Sequence, residues 1–216
     1  MIALWVSARV VLFALVPVVP VGLGLGFVLA RRRFRGLALL DAVVLLPLVL
    51  PPSVVGYGLL LICGREGPVG RLLERAFDLR LVFSTAGAAL AAAVVALPLM
   101  AKGAEAAFAR VDVRLEEMAL VQGLSPWRVF VWVTLPLATR GLSVALTLSV
   151  LRALGEFGAT LTFAGYVPGI TGTAPIEVYM AYQAGDDAGA LRLVIVLAGL
   201  SLAAALSVAT LTRRRA

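Results

Sequence analysis

Few side chains in this 216-residue sequence could carry out chemistry, and their types exclude most of it. Histidine is absent and Cys63 is the only cysteine. No zinc site of Cys and His, no internal disulfide and no Cys–His nucleophile pair can therefore be built within the chain. Cys63 reads as a small buried apolar residue. The single lysine, Lys102, is followed by Gly103 and Ala104. A phosphate-cradling loop needs Gly-Lys followed by Ser or Thr, so the chain lacks one. The glycines of GLGLG (22–26) lie inside an apolar run and form no nucleotide loop. One charged pair stands inside another apolar run: Arg152 and Glu156, at i,i+4 spacing and so on one helix face. A lone charge at the bilayer centre costs about 2.5–3.5 kcal/mol on insertion scales. An exposed i,i+4 pair returns only about 0.3–0.5 kcal/mol. Both side chains should therefore face protein or a water-filled cavity, either beside a path or a subunit seam or as a structural ion pair near the membrane edge.

The elements that position these residues follow from hydrophobicity. Apolar residues make up 62% of the chain, against about 45–50% in soluble domains. Five apolar runs reach the ~20 residues a spanning helix needs: about 9–30, 38–62, 81–101, 139–161 and 190–211. The expectation is an all-α, polytopic membrane protein with one domain over 1–216 and no internal repeat. The first run is preceded by Arg9 alone and followed by RRRFR (31–35), the pattern of a retained anchor with its N-terminus outside. Alternation then puts 63–80 outside, 102–138 inside, 162–189 outside and the C-terminus, with RRR (213–215), inside. The net charge of +7 is read as membrane orientation and not as nucleic-acid binding. Segment 63–80 goes against the trend, with four arginines against three acids. Asp41 reads as a charge near a helix N-terminus. Gly22 and Gly26, one turn apart, permit close helix approach.

The polar content concentrates in 102–138. A helix is expected over 111–122, with Leu115, Met118 and Ala119 on one face and Asp112 and Glu116 on another. Gly123 fits a left-handed C-terminal cap. Ser125 fits an N-cap and Pro126 the first helical position. The result is helix, sharp turn and second helix, the latter running along the membrane surface until Pro136 redirects the chain into the fourth span. Trp127 and Arg128 sit on the turn. Such an element can seat in a partner's groove. Alternatively it is an interfacial helix with Trp127 and Trp132 as belt residues.

These residues resemble the Glu-Ala-Ala loop of bacterial ABC importer permeases. Glu117-x-Ala119, then Gly123, then Val133-x-Leu135-Pro136 keep that spacing, with Met118 replacing the first Ala and Val133 an Ile. ALLDAVVLLPLVLPPSVVGYGLL (38–60) and LRALGEFGATLTFAGYVPG (151–169) are similar to permeases of the molybdate branch, with tungstate and sulfate permeases close to it. The resemblance implies the type I importer permease fold. It implies a coupling segment (111–136) that docks on an ATPase through Glu117, Ala119, Gly123, Ser125, Pro126, Trp127, Arg128, Leu135 and Pro136. It further implies a second copy of the chain, two ABC ATPase subunits that supply ATP and Mg, and an extracytoplasmic oxyanion-binding protein. The chain itself would then need no cofactor and catalyse no reaction. An arginine-rich path would hold a dianion too tightly to release it. The path or gate is therefore expected to use Ser53, Ser149, Gly155, Gly158 and Thr160, beside Arg152 and Glu156. Lipid surrounds the spans. A secondary transporter or channel working alone is the rival from another class. A membrane-embedded enzyme would need a reacting constellation that the scarce intramembrane carboxylates do not provide.

Overall fold

A computed structural model describes residues 2–213, and the described residues are all-helical. Helix α1 covers Ile2–Arg31, α2 Leu37–Val49, α3 Pro52–Cys63, α4 Pro68–Phe77 and α5 Thr85–Ala109. Then come α6 Val113–Val121, α7 Pro126–Val129, a π-helical turn Phe130–Thr134, α8 Leu135–Leu154, α9 Gly158–Ala164, α10 Ala174–Gln183 and α11 Asp187–Arg213. Arg214 and Arg215 of the C-terminal RRR lie outside the described residues.

Helix α5 is the axis of the molecule. Apart from Lys102 and Glu105 in its last turns it is apolar round its circumference, as a helix enclosed by others must be, and Ala88, Ala92, Val95, Ala96, Ala104 and Phe108 have no exposed surface. Ser84 caps its start by accepting from the Gly87 N–H at 3.1 Å. Helix α1 runs parallel to it, from Arg9 donating to Thr85 at one end to Arg31 donating to the Val111 carbonyl at the other. The glycine pair expected to permit close approach does so. A Cβ on Gly22 would stand 2.5 Å from Met100 Cγ, and one on Gly26 would stand 2.7 Å from the Ala101 carbonyl oxygen. Helix α8 packs antiparallel on a neighbouring face of α5 through a reciprocal pair. Gly103 faces Ala145, and Gly141 faces Ala107. Between helices in lipid there is no hydrophobic gain to be had, so close packing of small residues is what holds them.

Two of the runs are divided. The second run comprises two helices, α2 and α3, which meet at 112°. Pro51 forces Leu50 out of the helical region, to φ −71° and ψ 144°, and Pro52 then opens α3 at its first position. Among the described residues, four continuous helices are long and apolar enough to span, and five spans result if the bent pair counts as one. The fourth run ends at Leu154 instead of about 161, and α9 is a separate helix after the turn at Gly155–Phe157.

Boundaries elsewhere shift for physical reasons. The first span starts at Ile2, so Arg9 lies within a helix, where its guanidinium donates to the Thr85 hydroxyl while its buried Nε has no hydrogen-bond partner among the described residues. The third runs on to Ala109, which places Lys102 inside α5. There it pairs with Asp41 of α2 at 2.9 Å and with Glu105. Asp41 therefore serves as a partner to a lysine on another helix. The 162–189 segment is no free loop. Thr171, Thr173, Ala174 and Ile176 are buried, and the Ala174 N–H donates to Ser7 Oγ at 2.8 Å. Tyr166 hydrogen-bonds both carboxylate oxygens of Glu177 at 3.3 Å. Burial first, then the Glu177 charge and this bond, push the phenol above its usual range, which keeps it a donor.

Candidate coupling site and path

The turn at Gly123 forms by local rules. Asp112 caps α6, its carboxylate accepting from the Arg114 N–H at 3.0 Å. At the other end the Gly123 N–H donates to the Leu120 carbonyl (2.9 Å) and the Leu124 N–H to the Ala119 carbonyl (3.2 Å). Those two bonds with Gly123 at φ +88° make a Schellman cap. Ser125 then caps α7, with Pro126 at its first position. The expected helix, turn and helix are all present.

The continuation differs from expectation. α7 does not lie apart from the fourth span. It passes through the π-helical turn straight into α8, giving one helix from Pro126 to Leu154. Pro136 has no N–H and its ring crowds the carbonyl four residues back. The wider π turn, closed by the Leu135 N–H on the Phe130 carbonyl, immediately precedes it and leaves the helix unbroken.

The segment has two sides. Outward stand Val121 (90% exposed), Trp127 (71% exposed), Met118, Leu115, Leu120 and Trp132. Trp127 stacks on Phe130, and the Arg128 guanidinium lies over the Trp132 ring at 5.8 Å. Glu117, Gly123, Ser125, Pro126, Arg128 and Pro136 are exposed too. Inward, Ala119 is buried and Leu135 packs partly buried against the cluster around Phe108. Phe27 of α1 meets the Phe108 and Phe130 rings edge-on at 5.6 and 5.1 Å.

Glu116 joins the segment to the core. Its Oε1 accepts from Arg31 at 2.9 Å and from the Thr134 hydroxyl at 2.8 Å. α1, α6 and the π turn are tied through that one carboxylate. Sequence reasoning placed Glu116 beside Asp112 and missed this role. The signal was present, because Arg31 ends a span on the side assigned to 102–138.

The Arg152–Glu156 pair exists at 2.7 Å, but it bridges the end of α8 instead of lying on one continuous helix. Glu156 is 2% exposed, and its Oε1 accepts from the Ala159 N–H at 2.8 Å, so it fastens α8 to α9. Gly158 sits against Pro52 and the Ser53 backbone, and Gly56 against the Ala159 carbonyl. The two helix breaks therefore touch, with Ser53 exposed beside them and Gly155 exposed at the α8 end. Ser149 and Thr160 are fully buried, and Ser149 donates to the Ala145 carbonyl at 2.8 Å. The structure thus groups Ser53, Arg152, Glu156 and Gly158, and it sets Ser149 and Thr160 in packing interfaces.

A bent helix pair, a knob of exposed apolar residues and a core of small residues describe a membrane permease subunit built to engage other chains. The chain belongs to the family of binding-protein-dependent transport system inner membrane components, whose model matches residues 22–216. It is 45% identical over 220 residues to the molybdenum transport system permease protein ModB of Escherichia coli K12, covering all of this chain and 94% of that one. It is 35% identical over 181 residues to the sulfate transport system permease protein CysW of Synechococcus elongatus, covering 84% and 63%. The fold matches a bacterial ABC transporter involved in import of the acidic polysaccharide alginate, at a TM-score of 0.71 and 18% identity, over 99% of this chain and 79% of that one. That is the fold of type I ABC importer permeases.

Proposed function

We propose that this chain is the permease subunit of an ATP-driven molybdate importer in the bacterial cytoplasmic membrane, with its N-terminus outside and its C-terminus cytoplasmic. The observation that carries the reading is the two-sided segment at 112–136. Apolar side chains project from one side, while Glu116 and Phe130 lock the other to α1 and α5. A partner that grips the outer side moves the helices behind it. Two copies form the pathway. Two ATPase subunits hold ATP and Mg, and an extracytoplasmic protein delivers the oxyanion. Glu117, Gly123, Trp127 and Arg128 meet the ATPase, and the contact between the helix breaks at Ser53 and Gly158 gates the path. ATP binding shifts the population of conformers by favouring the one whose coupling segments are drawn together.

The full-length 45% identity to a molybdenum permease favours molybdate as the cargo. Sulfate or tungstate is the second reading, supported by the 35% identity to a sulfate permease. The test is radiolabelled molybdate uptake into vesicles holding this chain, its ATPase and its receptor, with sulfate and tungstate as competitors. Glu117→Lys or Gly123→Pro should abolish uptake while leaving membrane insertion intact. Full uptake in both variants rejects the coupling role.

A further inference from the structure

Segment 63–80 carries four arginines on the side where the orientation rule does not call for them. Its structure supplies a reason. Along α4, Val69, Leu72, Leu73, Ala76 and Phe77 fall on one arc at 100° per residue, with Arg71, Glu74 and Arg75 opposite. The apolar arc is largely uncovered: Leu72 is 64% and Phe77 70% exposed. The helix is nevertheless held firmly. The Gly67 N–H donates to the Gly64 carbonyl at 2.9 Å, and Gly70 packs so closely on Gly64 O that a Cβ would come within 1.9 Å. Arg71 Nε donates to the Glu66 carbonyl at 2.8 Å, and Arg80 neutralises Glu74 at 2.9 Å. Arg75 has no polar partner among the described residues and is exposed. Under α4 lies an apolar groove of about 590 Å³, walled by Val69 and Leu73, by Phe13 and Pro17 of α1, and by Ala89 and Leu90 of α5.

We infer that α4 is an interfacial helix that binds an anionic phospholipid: an acyl chain fills the groove, the apolar arc lies in the headgroup boundary, and Arg71 and Arg75 hold the phosphate. An amphipathic helix with arginines on its polar face is the form that settles at this depth. The groove opens between two membrane-spanning helices, where a lipid tail is the available apolar occupant. The positive balance of the segment is matched by lipid phosphate.

The test uses the full chain in vesicles of phosphatidylethanolamine and phosphatidylglycerol, in a Cys63→Ala background. Spin labels at Leu72→Cys and Phe77→Cys should be accessible to oxygen and shielded from a water-soluble nickel complex, and a label at Arg75→Cys the reverse. In native mass spectrometry the wild type should retain phosphatidylglycerol over phosphatidylcholine. Arg75→Gln should lower that preference about fivefold, and Arg71→Gln/Arg75→Gln further. Arg75→Gln touches no internal contact, so misfolding does not confound it. Water-accessible labels at 72 and 77, or an unchanged lipid preference in both variants, overturn the proposal. So do labels that become shielded only when a receptor protein is added, which would give the face to a protein.

Discussion

Glu116 is the residue that ties the segment proposed to couple, 112–136, to α1 and the π turn. Arg31 and Glu116 are mostly buried, with 13% and 14% of their side chains exposed. Removing the carboxylate strands the guanidinium and leaves Thr134 without its acceptor. Glu116→Ala should cost about 1–3 kcal/mol, read as a lower Tm in detergent. A double-mutant cycle with Arg31→Ala should show strong coupling, and additive losses would dissolve the tie. Gly123 makes a cleaner case, because a Cβ there would meet open space. Its only constraint is φ, and the left-handed region costs ordinary residues about 1–2 kcal/mol. Gly123→Val should therefore impair transport much more than Gly123→Asn, since Asn tolerates that region. Equal effects would show that the cap is not what matters. At Glu156 two functions can be separated. Glu156→Gln keeps an acceptor for the Ala159 N–H and loses the charge beside Arg152, while Glu156→Ala loses both. Transport should fall in both and stability chiefly in the second, as compared by uptake and thermal melting.

At the scale of elements, the closest contacts are made by residues with almost no side chain. The α5–α8 seam depends on Gly103 against Ala145 and Gly141 against Ala107. Backbones this close give no room for a larger group, and overpacking costs about 1–3 kcal/mol. Gly141→Leu should lower the melting temperature and the yield of folded protein in membranes, while Gly24→Leu, where the added atoms meet open space, should not. Similar losses at both positions would argue against a packing cause. The prolines act differently by context. Pro17, Pro20 and Pro98 sit inside continuous helices, yet Pro51-Pro52 turns the chain through 112°. Two adjacent prolines remove two successive donors, and Leu50 before them stands in the extended region, whereas the single prolines lie within helices that continue on both sides.

At the scale of the whole molecule, the chain has the surface of a part. Helix α11 exposes Leu191, Ile195, Leu202 and Leu206, and the coupling segment exposes two tryptophans. On the proposed reading, lipid covers the former and the ATPase the latter. The chain reconstituted alone should therefore be inert, and uptake should require ATP, ATPase and receptor together. Steady molybdate flux through the chain alone would end the importer reading in favour of an ATP-independent transporter.

The sequence by itself determined what is local. Apolar length set the number of helical runs, and the coupling turn followed from Asp112, Gly123, Ser125 and Pro126, because caps are made by neighbours in the chain. The family was legible in the Glu117–Pro136 spacing for the same reason. Only the tertiary structure decided which residues meet across the chain: Glu116 with Arg31, Asp41 with Lys102, Tyr166 with Glu177, and the two helix breaks with each other. It also decided that Ser149 and Thr160 are enclosed and that the π turn carries α7 into α8. Those outcomes depend on the rotation and offset of packed helices. Small residues set these by how closely they let backbones approach, and no local pattern encodes them.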